Sequence, residues 1–430
     1  MTNLRTVTAT IALCATYLTL PAPGARAADL SGNCCADLEE RIAELEATTA
    51  RKGNRNVSLT VAGHINRAVM FWDDGREDGV YSVGNKNDQT NFSFTGDAKI
   101  APGWVAGYEL VIRVRDSLSD DVSQDIDDGT GENFQIWQSH WYVASESYGK
   151  LSVGLASRVS DTAAENDLSE AGVAGYAGVQ DIGGAFALRR SDGTLIDIAW
   201  GDLGNHFNGD TANVVRYDTP EYKGFIASAS FGEDDIWDVG LKYSGEGGGF
   251  QTDASIAYTE VKDNDGVFAD IDHSTLLGSI AILHQASGLN ALIAAGDRSF
   301  DEQTVDADGV ARDPKNARFI YAKLGWIAKL NTLGPTAFYG EYGHFKNYLT
   351  VQSDGLEVEL GGAAGDRITG STLDVWGLGV VQHIEAAEMQ LYVGYRNHQA
   401  DFDLVSSGGA VAPAGIDDFH TVISGAKIGF

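Results

Sequence analysis

Several features are scarce in this sequence, and each scarcity argues against a class of protein. After residue 27 there is no apolar run of the roughly 18 residues that a membrane-spanning helix needs. Only Cys34 and Cys35 follow that point, so no framework of disulfide bonds is available. There are only 30 Lys and Arg against 61 Asp and Glu, and this argues against a nucleic-acid partner, which would need a basic face. With 7 prolines and 43% hydrophobic residues, the composition is not that of a disordered chain.

Catalytic and metal-binding signatures are also missing. The sequence has no His-Glu-x-x-His, no Gly-x-Ser-x-Gly, no phosphate loop and no Cys-x-x-Cys, and its 9 histidines are scattered singly. The acidic stretches at 125–129 and 306–309 do not keep the spacing of the calcium-binding loop of the EF-hand. We therefore expect no catalysis, no cofactor and no metal site. An exported β-rich enzyme stays open as the alternative from another class.

Residues 1–27 have the three parts of a secretory signal peptide. Arg5 supplies the positive charge, an apolar run follows from Val7 to Leu20, and Ala25-Arg26-Ala27 has the small-x-small pattern of a cleavage site. Cleavage would remove two arginines and no acidic residue, so the exported chain is more acidic still. An acidic chain attracts cations, and it is compatible with an outer membrane leaflet whose lipids are cross-bridged by divalent ions.

Residues 28–53 have the pattern of an amphipathic helix. Apolar residues recur at alternating spacings of three and four, which is the a/d seam of a heptad repeat. The seam residues are Cys35, Leu38, Ile42 and Leu45. Because two heptads do not hold a helix alone, the pattern predicts a small parallel coiled coil between subunits or a single helix packed against the rest of its own chain.

From Val57 onward the apolar period changes from the helical spacing to two. Val57, Leu59, Val61 and Ile65 alternate with polar residues, and similar segments of 7–13 residues recur to the end of the chain. One apolar and one polar face per strand is typical of a transmembrane strand, which needs about 9–11 residues per crossing. The segments number about sixteen, as expected for an all-β transmembrane antiparallel barrel over residues 54–430.

The connections between these segments alternate between short and long. Short turns such as 101–103 and 285–288 alternate with long segments near 73–89, 116–133, 157–212, 261–272, 299–316, 346–372 and 400–418. Only 232–235 is short where a long loop is due. Short turns on the periplasmic side and long loops on the external side are typical of an outer-membrane barrel. The last segment ends on Phe430, an aromatic terminal strand of the kind that outer-membrane assembly recognises.

Two stretches resemble a known family. Residues 32–42, continuing through 57–74, are similar to the N-terminus of the alphaproteobacterial (Rhizobiales-type) general porins, as are residues 213–220 followed by Gly232-Glu233-Asp234-Asp235-Ile236-Trp237. The resemblance implies a trimeric, sixteen-stranded diffusion porin. In that family the third external loop folds into the barrel, and here the segment 157–212 stands in that place. Within it, Leu195–Trp200 has the pattern of a strand. This strand is either a hairpin arm inside the barrel or an additional strand that changes the predicted strand count.

Strand parity predicts which charges face the interior of such a barrel. Charged side chains at mid-strand avoid lipid, where an Arg or Lys costs about 2–4 kcal/mol near the midplane. The predicted basic wall consists of Arg113, Arg115, Arg216, Lys242, Lys323 and Arg396. The predicted constriction-loop acids are Asp161, Glu165, Asp167, Glu170 and Asp181. Arg158, Arg189 and Arg190 are the residues that could instead neutralise these acids locally.

These inferences together predict a passive channel for small hydrophilic solutes and ions in the bacterial outer membrane, with the N-terminal helix in the periplasm. The acidic balance predicts a weak preference for cations. The expected partners are two further copies of the chain, outer-membrane lipids including lipopolysaccharide, and the solutes themselves. A barrel that anchors the outer membrane through residues 28–53 remains the structural alternative.

Overall fold

The structure is a computed structural model that describes most of the chain after residue 56. The described residues are 57–129, 133–233, 235–262, 272–301, 304–305, 311–312, 315–349, 356–363, 366–406 and 409–430. The predicted signal peptide and the predicted coiled-coil helix lie outside these residues, and so do all four residues of its seam.

The described residues form β-strands connected by turns and loops. In chain order the strands are β1 Thr60–Asp73, β2 Asp78–Gly84, β3 Asn91–Ala101, β4 Trp104–Val114, β5 Phe134–Ser145, β6 Gly149–Ser157, β7 Ala187–Arg189, β8 Leu195–Ala199, β9 Thr211–Asp218, β10 Phe225–Gly232, β11 Trp237–Gly247, β12 Phe250–Val261, β13 His273–His284, β14 Leu289–Phe300, β15 Thr304–Val305, β16 Ala311–Arg312, β17 Ala317–Ala328, β18 Thr336–Lys346, β19 Arg367–Ile384, β20 Met389–Ser406, β21 Gly409–Val411 and β22 Phe419–Gly429.

Helices are few and short among these residues. The one α-helix, α1, is Leu356–Glu359, and single 3₁₀ turns occur at Lys86–Asp88, Val179–Asp181, Trp200–Asp202 and Glu385–Ala387. In the part of the chain that the structure describes, no helix has the length and apolarity needed to cross a membrane.

The strands close into a sixteen-position antiparallel barrel, which confirms the predicted fold. Neighbours along the chain pair with each other, and β1 pairs with β22 to close the ring. β2 and β3 share the second position, because β2 pairs with residues 67–73 of β1 and β3 pairs with residues 60–64.

The second position corrects one expected loop. Residues 73–89 are not a long connection, since β1 and β2 are joined by the four residues 74–77 and β2 completes most of the rest. The strand is then interrupted at residues 85–90 before β3 resumes it. The sequence Asp78–Gly84 is short and contains two glycines, and Val80 and Tyr81 are adjacent apolar residues, so the strand was missed in a search for alternation.

Alternation of side chains along each strand separates two environments. In β1, Val61, Ile65 and Val69 point outward and are exposed, whereas Asn66 and Met70 point inward and are buried. The large exposed residues of the outward face are mostly apolar, as a lipid-facing surface requires, and Arg67 is a charged exception in β1. Aromatic pairs lie on this face near the short turns, including Trp104 with Tyr148 and Trp326 with Phe338.

Candidate functional site

The long loop between β6 and β9, residues 158–210, packs against the inward face of the barrel. Phe186 and Phe207 of the loop are 0% and 1% exposed. Phe186 lies 5.0 Å from the ring of Phe419 in β22, and Phe207 lies 5.1 Å from the ring of Phe319 in β17. The loop therefore fills part of the lumen through ordinary apolar packing.

A hairpin inside the loop accounts for its strand-like segment. β7 and β8 pair antiparallel with each other in a separate two-stranded sheet, so the Leu195–Trp200 segment is a hairpin arm and does not change the strand count of the barrel. Ile196 and Ile198 of β8 belong to the same buried cluster as Phe186.

Polar contacts fix both ends of the loop. The carboxylate of Asp238 in β11 accepts hydrogen bonds from the backbone N–H and the hydroxyl of Ser160, at 3.0 and 2.6 Å. At the other end, Arg158 donates to the backbone oxygen of Asp210 at 3.3 Å. Asp238 and Ser160 are both fully buried. The loop consequently starts and ends at defined positions on the wall.

Two of the six predicted wall cations differ from expectation. Lys323 and Arg396 point toward the long loop inside the barrel, and they are 1% and 2% exposed because that loop covers them. Lys323 Nζ lies 2.6 Å from Asp167 Oδ2 and 2.8 Å from the backbone oxygen of Gly175. These two side chains hold the loop and do not face open solvent, so the expectation that they form part of an open basic wall is corrected.

Arg396 is the centre of a buried network under the loop. Its guanidinium donates to Glu341 at 2.7 and 3.1 Å and to the backbone oxygens of Tyr176 and Val179 in the loop. Tyr321 donates its hydroxyl proton to the same carboxylate at 2.5 Å. Because breaking a buried ion pair leaves an uncompensated charge, at a cost of about 3–5 kcal/mol, this network fixes the loop position firmly.

The five predicted loop acids have different surroundings. Asp167 pairs with Lys323, and Glu165 accepts from His206 and Asn208 at 2.9 and 2.5 Å. Asp181 is buried and accepts a hydrogen bond from the hydroxyl of Tyr176.

Glu170 is more open, with a side chain that is 45% exposed and lies 3.7 Å from His383. Asp161 lines a cavity, and its Oδ2 atom is buried without a hydrogen-bond partner among the described residues. Arg158, which was predicted as a possible neutralising residue, makes no ion pair with these acids in the described part of the chain, while Arg189 and Arg190 pair with other carboxylates. Of the five predicted acids, Asp161 is the one that lines this cavity.

Burial and neighbouring charges shift the ionisation of the loop. Burial raises the pKa of the Asp161 carboxyl to about 6, helped by the charges of Glu165 and Asp210. Burial also raises the pKa of Asp181. For His206, burial alone would lower the pKa, but the hydrogen bond and charge of Glu165 raise it overall. The Asp161 carboxyl therefore titrates nearer to neutral pH than a free carboxyl does.

The interruption at residues 85–90 contributes a second element to the lumen, which we call the strand break. Asn85 is fully buried, donates to the backbone oxygen of Val173 in the long loop at 2.8 Å, and accepts from the backbone of Asn87. Lys86 pairs with Asp120 at 2.8 Å. The strand break therefore links the long loop to the loop after β4. Sequence reasoning missed it, although Asn85-Lys86-Asn87-Asp88 is a run of polar residues in a strand position.

The remaining predicted cations lie on the wall that the long loop leaves uncovered. The guanidinium of Arg113 stacks on the ring of Trp137 at 3.3 Å, and its electrostatic neighbours include Asp161, Asp181 and Asp210 of the loop. Arg115 lies 3.7 Å from Asp121. Arg216 pairs with Asp218 at 2.9 Å, and Lys242 is exposed.

A cavity of about 720 Å³ connects several of these groups. It extends from residues 157–163, at the start of the long loop, to the short turns at 144–150 and 218–221. Its charged lining residues are Glu146, Lys150, Asp161, Arg216, Asp218, Glu221 and Lys242. The structure thus brings Asp161, Arg216 and Lys242 together, and adds Lys150, which sequence reasoning did not select.

Three aromatic residues near strand ends, where interface aromatics are common, point into the barrel. The ring of Trp72 is buried 4.9 Å from the ring of Phe186. The guanidinium of Arg113 stacks on the ring of Trp137, and the ammonium of Lys150 lies 4.5 Å from the ring of Tyr142. Trp104 and Trp326, in contrast, take part in the outward-facing aromatic pairs. Strand parity, and not proximity to a strand end, separates the two groups.

A closed barrel with an apolar outer face, a charged wall and a loop packed in its lumen has the architecture of an outer-membrane channel. The sequence profile of the Gram-negative porins matches residues 9–411, so the chain belongs to the Gram-negative porin family. No curated protein sequence gives a significant match.

Solved structures of other bacterial proteins share this fold at low sequence identity. The anion-selective porin of Comamonas acidovorans has a TM-score of 0.53 and 16% identity, covering 87% of this chain and 100% of that one. OmpT of Vibrio cholerae, an outer-membrane protein folded in vitro, has a TM-score of 0.52 and 11% identity, covering 88% and 99%. OmpF of Salmonella typhi, in complex with daunomycin, has a TM-score of 0.50 and 12% identity, covering 88% and 99%.

Proposed function

We propose that this chain forms a passive, water-filled diffusion channel for small hydrophilic solutes and ions. The observation that carries the proposal is the cavity along the wall of β5 to β12, which is lined by charged and hydroxyl side chains and lies beside the inserted loop. A polar lumen that a loop narrows supports permeation without any covalent step. We infer that the chain has no enzymatic activity.

The charges lining the cavity support only a weak ionic preference. Four acids, Glu146, Asp161, Asp218 and Glu221, stand beside three bases, Lys150, Arg216 and Lys242. Because the two signs nearly balance, the strongly negative total of −31 for the chain overstates the field inside. We propose a weak cation preference that follows from the one extra acid.

The assembly we propose is a homotrimer in contact with outer-membrane lipids and lipopolysaccharide. OmpT of Vibrio cholerae is described in a trimer form. The heptad seam at residues 28–53 supports a periplasmic coiled coil between subunits, reached after removal of a signal peptide at 1–27. The similarity of residues 32–42 and 213–220 supports an alphaproteobacterial general porin.

Planar-bilayer recording tests the channel. The refolded protein, without residues 1–27, is added to one side of a bilayer, and the reversal potential is measured in a gradient of KCl. We expect stable current steps grouped in threes and a small reversal potential on the cation side. A folded, heat-modifiable protein without conductance contradicts the channel and favours the anchoring role, whereas an anion-side potential contradicts only the cation preference.

A further inference from the structure

Two lysines on the uncovered wall have no carboxylate partner among the described residues. Lys150 of β6 contacts the ring of Tyr142, and Lys242 of β11 is exposed, yet neither makes an ion pair. Both line the 720 Å³ cavity. By comparison, the other cation of that cavity, Arg216, is held by Asp218 at 3.0 and 2.9 Å.

The acid that lies between the two lysines is already engaged. Asp218 faces Lys150 directly across the β6–β9 pair, but its Oδ1 accepts from Arg216 and from the hydroxyl of Ser228 at 2.6 Å. Its charge is therefore largely compensated by Arg216. The two ammonium groups remain available to a solute in the lumen.

The wall between the lysines is lined by small residues. Across β6, β9, β10 and β11 the register runs from Lys150 to Asp218, Ser228 and Gly240, and Lys242 lies two residues beyond Gly240 on the same face. Ser255 of β12 faces Lys242. Ser228, Gly240 and Ser255 all line the cavity, and Val159 of the long loop packs over Gly240. Together these residues form a groove with a cation at each end, which we call the two-lysine groove.

The strand geometry sets the distance between the two ends. Three strand spacings and one two-residue step separate the Cα atoms of Lys150 and Lys242 by roughly 16 Å. The Lys150 ammonium lies over the Tyr142 ring of β5, on the side of β6 away from Lys242, so the two stems do not together shorten this distance. A separation on this scale suits a flexible chain with an anionic group at each end, and it is too long for one carboxylate to contact both ammonium groups.

We propose that the two-lysine groove is a transient binding subsite for linear dicarboxylates. This inference rests on the proposed channel function and names a class of solute that the lumen retains during passage. The rim acids Glu146 and Glu221, both in exposed turns, and the roof acid Asp161 oppose any anion, so binding depends on simultaneous contact with both lysines. A monocarboxylate can engage only one lysine at a time, so it lacks the gain in affinity that comes from simultaneous contact at both ends.

Block of single-channel current by adipate, compared with acetate at matched ionic strength and pH, tests the subsite. We expect adipate to reduce the KCl current of the full signal-free protein at concentrations where twice as much acetate does not. K150Q and K242Q should each raise the half-blocking concentration of adipate roughly two- to fivefold, because an exposed ion pair contributes up to about 1 kcal/mol. Succinate, which is shorter, should block less than adipate.

Lys329→Gln provides the matched control, since Lys329 is an exposed lysine in the turn between β17 and β18, outside the cavity lining. The half-blocking concentration of adipate in K329Q should equal that of the unsubstituted protein. Equal block by adipate and acetate, or equal loss in K329Q and K242Q, overturns the subsite while leaving the channel intact. Absence of any current step instead contradicts the proposed channel itself, and heat-modifiable migration on gels verifies that each variant is folded.

Discussion

The partner beside each inward-facing charge decides what that residue does. Lys323, with Asp167 and a backbone oxygen around its ammonium group, acts as a fixed internal support, whereas Lys242 faces the same lumen without an ion-pair partner among the described residues. Parity along a strand places both inward. Whether a charge meets water or the long loop is decided by segments far away in sequence.

Asp161 gives a prediction on pH. Its carboxyl has a pKa raised to about 6 by burial, so it is ionised at pH 7.5 and neutral near pH 5, a range in which ordinary carboxylates near pKa 4 keep their charge. Lowering the pH from 7.5 to 5 should therefore reduce the cation-side reversal potential. In D161N the cation-side reversal potential at pH 7.5 should be lower than in the unsubstituted protein, and it should change little between pH 7.5 and pH 5.

Glu170→Gln is the control for this experiment, because it removes an exposed acid of the same loop and leaves Asp161 in place. The pH response should persist in E170Q. Burial also raises the pKa of Asp120, which is paired with Lys86, so a small remaining response in D161N is compatible with the prediction. An undiminished response in D161N shows that Asp161 does not control the field.

At the scale of elements, the long loop is stabilised from two sides. Its apolar residues pack on strands β17 to β22, and the strand break contacts it from the second barrel position through Asn85 and Val173. Ser119, in the loop after β4, accepts from the backbone of Lys86 and donates to the backbone oxygen of Asp181 at 2.5 Å. Loops that cross a lumen need such contacts, because their backbone groups have no sheet partner.

Removing the contact from the strand break should loosen the long loop. Asn85→Ala deletes the hydrogen bond to Val173 and leaves that buried carbonyl without its partner at 2.8 Å, a loss of about 1–3 kcal/mol. We expect a lower free energy of unfolding in urea from lipid vesicles and larger fluctuations of the open-channel current. Asn87→Ala, whose contact with the same carbonyl is longer at 3.4 Å, should have a smaller effect. Identical effects of the two variants would argue against a specific role for Asn85.

At the scale of the whole molecule, the lumen is divided into two unlike halves. The inner wall of β13 to β22 and β1 combines apolar residues with buried polar and charged groups and is covered by the long loop, whereas the inner wall of β5 to β12 lines the cavity. Closure of β1 on β22 satisfies the strand edges, so the fold needs no partner to complete its sheet.

Trimer stability should depend on the N-terminal heptads more than channel formation does. Deleting residues 28–53 removes the seam but no strand of the closed barrel, so the size of each current step should stay unchanged. The temperature at which trimers dissociate on gels should fall. In the full chain, Leu38→Ala in the seam should lower it as well, and Glu44→Ala on an outer heptad position should not. An unchanged dissociation temperature after the deletion would favour the alternative of a helix packed against its own chain.

Sequence reasoning predicted the barrel well because the membrane imposes a strong local rule. Successive residues of a membrane-crossing strand, such as Val61 and Ala62, face lipid and lumen alternately. This alternation can be recognised in the sequence of one strand without knowing which strands pair with it. The strand count, the short turns and the inward parity of Arg216 and Lys242 follow from that rule. β2 was missed because it is short, contains two glycines and is followed by a break.

The candidate site was predictable only in part. Sequence reasoning selected Asp161, Arg216 and Lys242, which line the cavity, but it could not distinguish them from Lys323, Arg396 and Asp167, which lie under the loop. It also could not select Lys150, whose role depends on Lys242 three strands away. Contacts between segments more than a hundred residues apart leave no local pattern to detect.

The sequence by itself therefore determined the barrel, its sixteen crossings and the direction in which most strand side chains point, because the periodic exchange between lipid and water acts on each strand separately. Only the tertiary structure decided which inward charges are neutralised, where the long loop lies and which wall stays open. Those properties arise when one loop covers half of the lumen, and the choice between the two halves depends on apolar packing and buried ion pairs that form only after the ring has closed.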